Sequence, residues 1–239
     1  MYRTLQFFVS CISRSQSRNQ CKKNCHGFND HVLSEKSHWI SQYETQSIKP
    51  VDWLAPAEII ADHVISKVGA LSTGKEKPLI RLLDVGCGTS HVPHRLLQDL
   101  PHPLHLVCLD YVPGAARWQS EVLTKITPAN KLSIHTCITG DVRALPFRDD
   151  NFHVILDKGT LDSLLKDRDR ALPSCDKMLS ECLRTLRPGG VLLQITDEDP
   201  DLRIQLLEET FSRIKVKAHV SYSQVDTHGH ECFMYVLSL

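Results

Sequence analysis

The sequence predicts a single α/β domain built on a doubly wound, mostly parallel sheet. Short apolar runs rich in Val, Ile and Leu alternate with helical patterns over about 160 residues, as expected of strands covered on both faces by crossover helices. The first run, Leu82, Leu83 and Val85 with Asp84 inside it, enters Gly86-x-Gly88, which reads as a buried strand running into a tight turn before a helix. The chain has 239 residues, enough for one sizeable core plus a tail.

The first 29 residues hold no Asp or Glu but carry Arg3, Arg14, Arg18, Lys22 and Lys23 among serines. That composition predicts a mitochondrial transit peptide over residues 1–30, ahead of a globular domain over 31–239. A plain disordered tail is the alternative. Leu5 to Ile12 is apolar like a secretory core, but bases follow it and no small-x-small cleavage site is evident. Lys+Arg and Asp+Glu both number 28, so overall charge points neither to nucleic acid nor to a membrane surface. No run approaches the roughly 18 apolar residues that span a bilayer. The nine cysteines include no Cys-x-x-Cys pair, and Cys108, Cys137 and Cys182 lie in apolar segments, which favours reduced thiols. Cys21, Cys25 and His26 lack a second ligand pair, so no metal site is expected.

Globular character begins near His38. Trp39, Tyr43 and Trp53 precede a helix carrying Ile59, Ile60, Val64 and Val68 that stops at Gly69; this region is expected to pack over the ligand end of the sheet, with Trp53 in the core. A polar linker spans Leu71 to Pro78. The glycine turn follows. A dinucleotide fingerprint needs a third glycine where this chain has His91, and a phosphate-binding loop needs Gly-Lys-Ser/Thr, which is absent.

Val92 to Leu100 is predicted helical, and Leu104 to Leu109 forms a second strand ending at Asp110. An acid about two dozen residues after the first glycine stands where such folds hydrogen-bond ribose hydroxyls. A helix over Val112 to Ile126, a strand over Leu132 to Thr139 and Gly140-Asp141 come next. Phe152 to Leu156 is a fourth strand running into Asp157-Lys158-Gly159-Thr160-Leu161-Asp162, placed to face the reacting end of a bound ligand. Ser174 to Leu186 is a helix, Pro188-Gly189-Gly190 a turn, and Val191 to Ile195 a fifth strand. The acidic Thr196 to Asp201, a helix to about Phe211, and strands near Val216 to Tyr222 and Cys232 to Leu237 complete the chain. His228-Gly229-His230 reads as a turn between the last two strands.

Asp-x-Gly-x-Gly-Thr-Ser over Asp84 to Ser90 resembles the first motif of the Rossmann-like seven-strand S-adenosylmethionine-dependent methyltransferases. Asp157-Lys158-Gly159-Thr160 is similar to an element of their protein-lysine branch, which includes enzymes acting on a translation elongation factor. With Asp197-Glu198-Asp199-Pro200-Asp201, the resemblance narrows to the lysine methyltransferases of mitochondrial citrate synthase. It runs from about Trp39 to the C-terminus. Leu161 stands where an aromatic is usual and Val51 where Phe is usual, both of which bear on the shape of the acceptor pocket.

The resemblance implies methyl transfer from S-adenosylmethionine to a lysine ε-amine of citrate synthase in the mitochondrial matrix, with no metal. It places Asp84, Gly86 and Gly88 around the methionine part, Asp110 on the ribose and Asp141 near the adenine. Asp157 is expected nearest the acceptor amine, as a positioning group or a route for proton removal through water. Thr160 and Asp162 either shape that loop or cap the next helix. Asp197, Glu198 and Asp199 either meet a basic protein surface or are a solvated loop. Another protein lysine, or a small molecule such as a quinone precursor, is the alternative acceptor.

Overall fold

The computed structural model describes residues 30–44, 49–71, 77–227, 229 and 231–239. The transit-peptide segment, the Cys21, Cys25 and His26 group, His228, His230 and residues 72–76 of the expected linker lie outside these residues. Elements follow in the order α1 (Lys36–Tyr43), α2 (Ala57–Leu71), β1 (Ile80–Val85), α3 (Val92–Asp99), β2 (Leu104–Asp110), α4 (Pro113–Leu123), β3 (Ile134–Thr139), β4 (Phe152–Lys158), α5 (Thr160–Leu165), α6 (Ala171–Thr185), β5 (Leu186–Thr196), α7 (Pro200–Ile214), β6 (His219–Val225) and β7 (Cys232–Ser238).

The strands form one seven-stranded sheet in the order β3-β2-β1-β4-β5-β7-β6. Pairs among β1 to β5 are parallel, and β7 runs antiparallel to both β5 and β6. Each parallel strand sends alternate side chains to opposite faces, so Leu82 and Leu83 of β1 enter different cores. One core joins the sheet to α2 and α3 through Ile60, Val64, Val68, Val92 and Leu96. The other joins it to α5, α6 and α7 through Leu165, Met178, Leu179, Leu206 and Leu207. The strand order reverses between β1 and β4, and the carboxyl ends of those strands carry the glycine turn and the Asp157 loop. That is where open α/β sheets bind their ligands.

Several expectations shift. Pro188-Gly189-Gly190 does not separate α6 from a strand: β5 starts at Leu186, and the three residues form an irregularity within it, with Gly189 at φ +75°. Pairing jumps from Phe152↔Leu186 to Val154↔Val191 across that bulge. Helix α6 starts at Ala171, three residues before the expected Ser174, because Pro173 is tolerated in a first turn that needs no donor. Helix α7 runs to Ile214 and ends on Lys215 at φ +57°, which delays β6 to His219. Helix α2 continues through Gly69, where nothing crowds the chain. Trp53 is 47% exposed and not in the core: Leu54 beside it adopts φ +73°, a corner that turns the indole outward.

Candidate active site

Gly86 and Gly88 take φ +66° and +51°, a conformation that side chains resist, so the turn depends on glycine. A Cβ at Gly86 would meet the Thr160 hydroxyl at 2.0 Å, and one at Gly88 would meet the Tyr43 hydroxyl at 2.9 Å. The Gly86 and Cys87 amides both donate to the Leu109 carbonyl, at 2.7 and 3.1 Å, tying the turn to the end of β2. Asp110 completes the tie. One of its carboxylate oxygens accepts from the Gly88 amide and the other from the Val112 amide, each at 2.9 Å. Burial pushes the Asp110 carboxyl up to about 6, against the pull of those amides.

Two polar side chains, one buried and one half-buried, hold the far side of the turn. Gln119 of α4 donates from Nε2 to the carbonyls of Gly88 and Ser90, at 3.2 and 2.8 Å. Asp52 accepts from the Ser90 hydroxyl at 2.7 Å and the His91 amide at 3.0 Å, and its other oxygen lies 3.1 Å from His91 Nδ1. The Val51 amide donates to the Thr89 carbonyl at 3.3 Å. Residues 49–55 are thus a strap over the turn. Helix α1 adds a second cover, because the Tyr43 carbonyl sits 2.1 Å from where a Cβ on Gly114 would be. The expectation that this region covers the ligand end of the sheet agrees with that placement.

Asp84 is buried on the face of α2 and α3, and burial pushes its carboxyl up to about 7, with Lys158 on β4 pulling the other way. Burial in turn lowers the Lys158 amine, against the carboxylates of Asp84 and Asp52.

Asp157 points to the opposite face and is 2% exposed. One of its oxygens accepts from the Thr160 and Leu161 amides at 2.9 and 3.3 Å, and the other accepts from Gln194 Nε2 at 2.9 Å. The carboxylate therefore caps the first turn of α5. Burial and the Asp162 charge push it up to about 7, against Arg203 and the two amides. Thr160 donates its hydroxyl to the Val85 carbonyl at 2.8 Å, which ties the loop after β4 to the end of β1. Asp162 does not cap α5; it pairs with Arg203 of α7, whose guanidinium is 1% exposed and also donates to the Thr196 hydroxyl at 3.2 Å. The loop after β4 and the acidic stretch after β5 are consequently one locked unit. Within that stretch, Asp199 is the N-cap of α7, accepting from the Asp201 amide at 2.9 Å.

Asp141 follows β3 beside Asp110, whose carbonyl accepts from the Gly140 amide at 2.9 Å. It is half-exposed and forked by Arg143, with contacts of 2.7 to 3.2 Å. Burial raises its carboxyl, but Arg143 holds it below the usual range. Among the described residues, no three His, Cys, Asp or Glu side chains are arranged to hold a metal ion, and no helix is long and apolar enough to cross a membrane.

Sequence reasoning missed Asp52, Gln119, Gln194 and Arg203. Only Gln194 carried a signal, as the one polar residue inside an apolar strand.

A glycine turn at the switch point, an acid at the end of the second strand and a reversed seventh strand inserted between β5 and the edge strand β6 define a Rossmann-like methyltransferase. Residues 83–194 match the family described as a methyltransferase domain. The chain is 30% identical over 200 residues to the mitochondrial citrate synthase-lysine N-methyltransferase of Pongo abelii, covering 79% of this chain and 81% of that one. It is 29% identical over 215 residues to the Danio rerio protein of the same name, covering 86% and 84%. The N-methyltransferase NodS from Bradyrhizobium japonicum shares the fold, with a TM-score of 0.57 at 14% identity over 84% of this chain and 96% of that one. The chain belongs to the S-adenosylmethionine-dependent methyltransferases, in the family of the citrate synthase-lysine N-methyltransferases. The residues present fit that cofactor: the turn has room only for glycine, and buried carboxylates at the ends of β1 and β2 supply acceptors for an ammonium and for hydroxyls.

Proposed function

We propose that this protein transfers the methyl group of S-adenosylmethionine to a lysine ε-amine of citrate synthase in the mitochondrial matrix. The observation that carries this reading is the pairing of the buried Arg203 with the partly exposed Asp162. It fuses the loop after β4 with the acidic stretch after β5, the two segments through which the sequence resembles the citrate synthase enzymes. The names of the relatives support the acceptor and the compartment. The composition of residues 1–30 supports import, and 31–239 then form the methyltransferase domain.

S-adenosylmethionine supplies an electrophilic methyl group on sulfur, so the protein's task is alignment, a contribution of several kcal/mol. In this reading Asp84, Gly86 and Gly88 hold the methionine part, Asp110 the ribose and Asp141 the adenine side. A lysine with a reference pKa near 10.4 costs on the order of 4 to 5 kcal/mol to deprotonate at neutral pH. Asp157 is assigned a positioning role rather than that of a free base. With Thr160 and Gln194 it fixes the entrance of α5, so the acceptor meets a rigid wall. Asp197 and Glu198 stand at the rim of that wall, where a basic protein surface finds complementary charge.

The test incubates the purified chain with methyl-labelled S-adenosylmethionine and citrate synthase and locates label by peptide mass spectrometry. Label on one lysine is the expected result. An unlabelled citrate synthase with cofactor binding intact would move the acceptor to another protein or to a small molecule.

A further inference from the structure

The six described cysteines are all free thiols, and three of them cluster beneath the glycine turn. Cys108 of β2 and Cys137 of β3 are register partners in adjacent parallel strands. Cys108 shares a buried cluster with Cys87, the residue between Gly86 and Gly88, whose amide donates at 3.1 Å to the carbonyl of Leu109, the residue after Cys108. All three lie on the face of α2 and α3. Neighbouring strands run roughly 4.8 Å apart, and disulfides span about 4.4 to 6.8 Å between Cα atoms, so the Cys108–Cys137 separation is compatible with a bond. Cys87 and Cys108 are buried, whereas Cys137 is half-buried on an edge strand and is the one that solvent reaches.

We propose that Cys137 and Cys108 form a peroxide-sensitive dithiol whose oxidation to a disulfide weakens cofactor binding through Cys87. Contact with Cys108 lowers the Cys137 thiol below its usual value, against burial, which favours the reactive thiolate at the accessible position. The Cys137 sulfur attacks one oxygen of hydrogen peroxide, the O–O bond breaks, and hydroxide leaves, giving a sulfenic acid. The Cys108 sulfur then attacks the Cys137 sulfur, the S–S bond forms, and a second hydroxide leaves. The two thiol protons convert both hydroxides to water, so two thiols are oxidised and one peroxide is reduced. Drawing Cys108 toward β3 shifts the end of β2, whose Leu109 carbonyl holds the Gly86 and Cys87 amides. Cys87 sits between two glycines already held in a demanding conformation, so the displacement passes into the turn.

This rests on the cofactor reading of the turn, so affinity of the reduced full-length chain for S-adenosylmethionine is measured first by calorimetry. Absence of binding there defeats the cofactor reading and this inference with it. The chain is then treated with hydrogen peroxide, alkylated and mapped by peptide mass spectrometry. The expected result is a Cys108–Cys137 cross-link, at least a tenfold loss of affinity, and recovery with dithiothreitol. Cys137→Ser and Cys137→Ala should keep their affinity through the same treatment. A Cys108 that stays free while Cys137 oxidises, a cross-link without loss of affinity, or an equal loss in both variants overturns the proposal.

Discussion

Arg203, fully buried at the first turns of α7, reaches across to the carboxylate of Asp162 on α5, forty-one residues earlier in the chain. Burial disfavours the guanidinium charge, and the Asp162 carboxylate more than compensates. Removing one partner of such a pair leaves an uncompensated buried charge, which costs more than the pair contributes. Asp162→Asn should therefore destabilise the protein by about 3 kcal/mol, measured by urea unfolding. Replacing both residues with apolar side chains of similar volume should recover much of that loss. An Asp162→Asn variant as stable as the parent would show that the pair is dispensable.

Gly114→Val tests the cover over the cofactor turn. The added side chain lands on the Tyr43 carbonyl, which must retreat, and Tyr43 also covers Gly88. The expected cost is about 1 to 3 kcal/mol of stability, with cofactor affinity at least tenfold weaker. Calorimetry on the folded variant reads the affinity, and circular dichroism reads the fold.

Asp84 makes stability depend on pH in a defined direction. Burial raises its carboxyl to about 7, so between about pH 4 and 7 the folded state keeps a proton that the unfolded chain releases. Its contribution is present in full below about pH 4 and is lost as pH rises to about 7. His94, which burial and His91 lower to about 4, acts in the opposite direction over pH 4 to 6.5, so the informative quantity is parent against variant in the same buffer. Asp84→Asn should gain on the parent by about 1 to 3 kcal/mol between pH 5 and 8, measured without cofactor.

Trp53 is presented to solvent by the Leu54 corner, and the Leu54 side chain lies 3.5 Å from where a Cβ on Gly159 would be. The indole meets Trp39 edge-on at 6.2 Å between ring centres, and Trp39 stacks on Tyr43, which covers Gly88, so the exposed indole stands on the outer side of the cofactor turn's cover. Trp53→Ala should raise KM for the protein acceptor about tenfold and leave cofactor affinity within about twofold, a loss of about 1.4 kcal/mol confined to the acceptor. Equal losses for both ligands would place Trp53 in the turn's support instead.

The parallel sheet was legible because β1, β2 and β4 are buried on both faces and read as continuous apolar runs. The glycine turn was legible because its backbone admits no other residue. Asp110 was legible from its distance to that turn, a spacing imposed by one helix and one strand. Trp53 was misplaced because apolar character does not reveal a left-handed corner at the next residue. Asp52 and Gln119 were invisible for another reason: each is one polar residue in ordinary surroundings, and its partners lie twenty-nine to thirty-nine residues away. Position in the sequence says nothing of such a meeting until the chain has folded.

The strap and α1 also fix an order of assembly. Leu33 is held by the Ser163 hydroxyl, 130 residues later, and Asp52 by Ser90 and His91. Contacts so distant in sequence carry a loop-closure cost that must be met before they form. The N-terminal part of the described domain is thus among the last to dock, and it docks on a finished β1–β4 seam. A chain truncated before α5 has its glycine turn but no Ser163 hydroxyl to hold the Leu33 carbonyl, so competence to retain cofactor should arise late in folding.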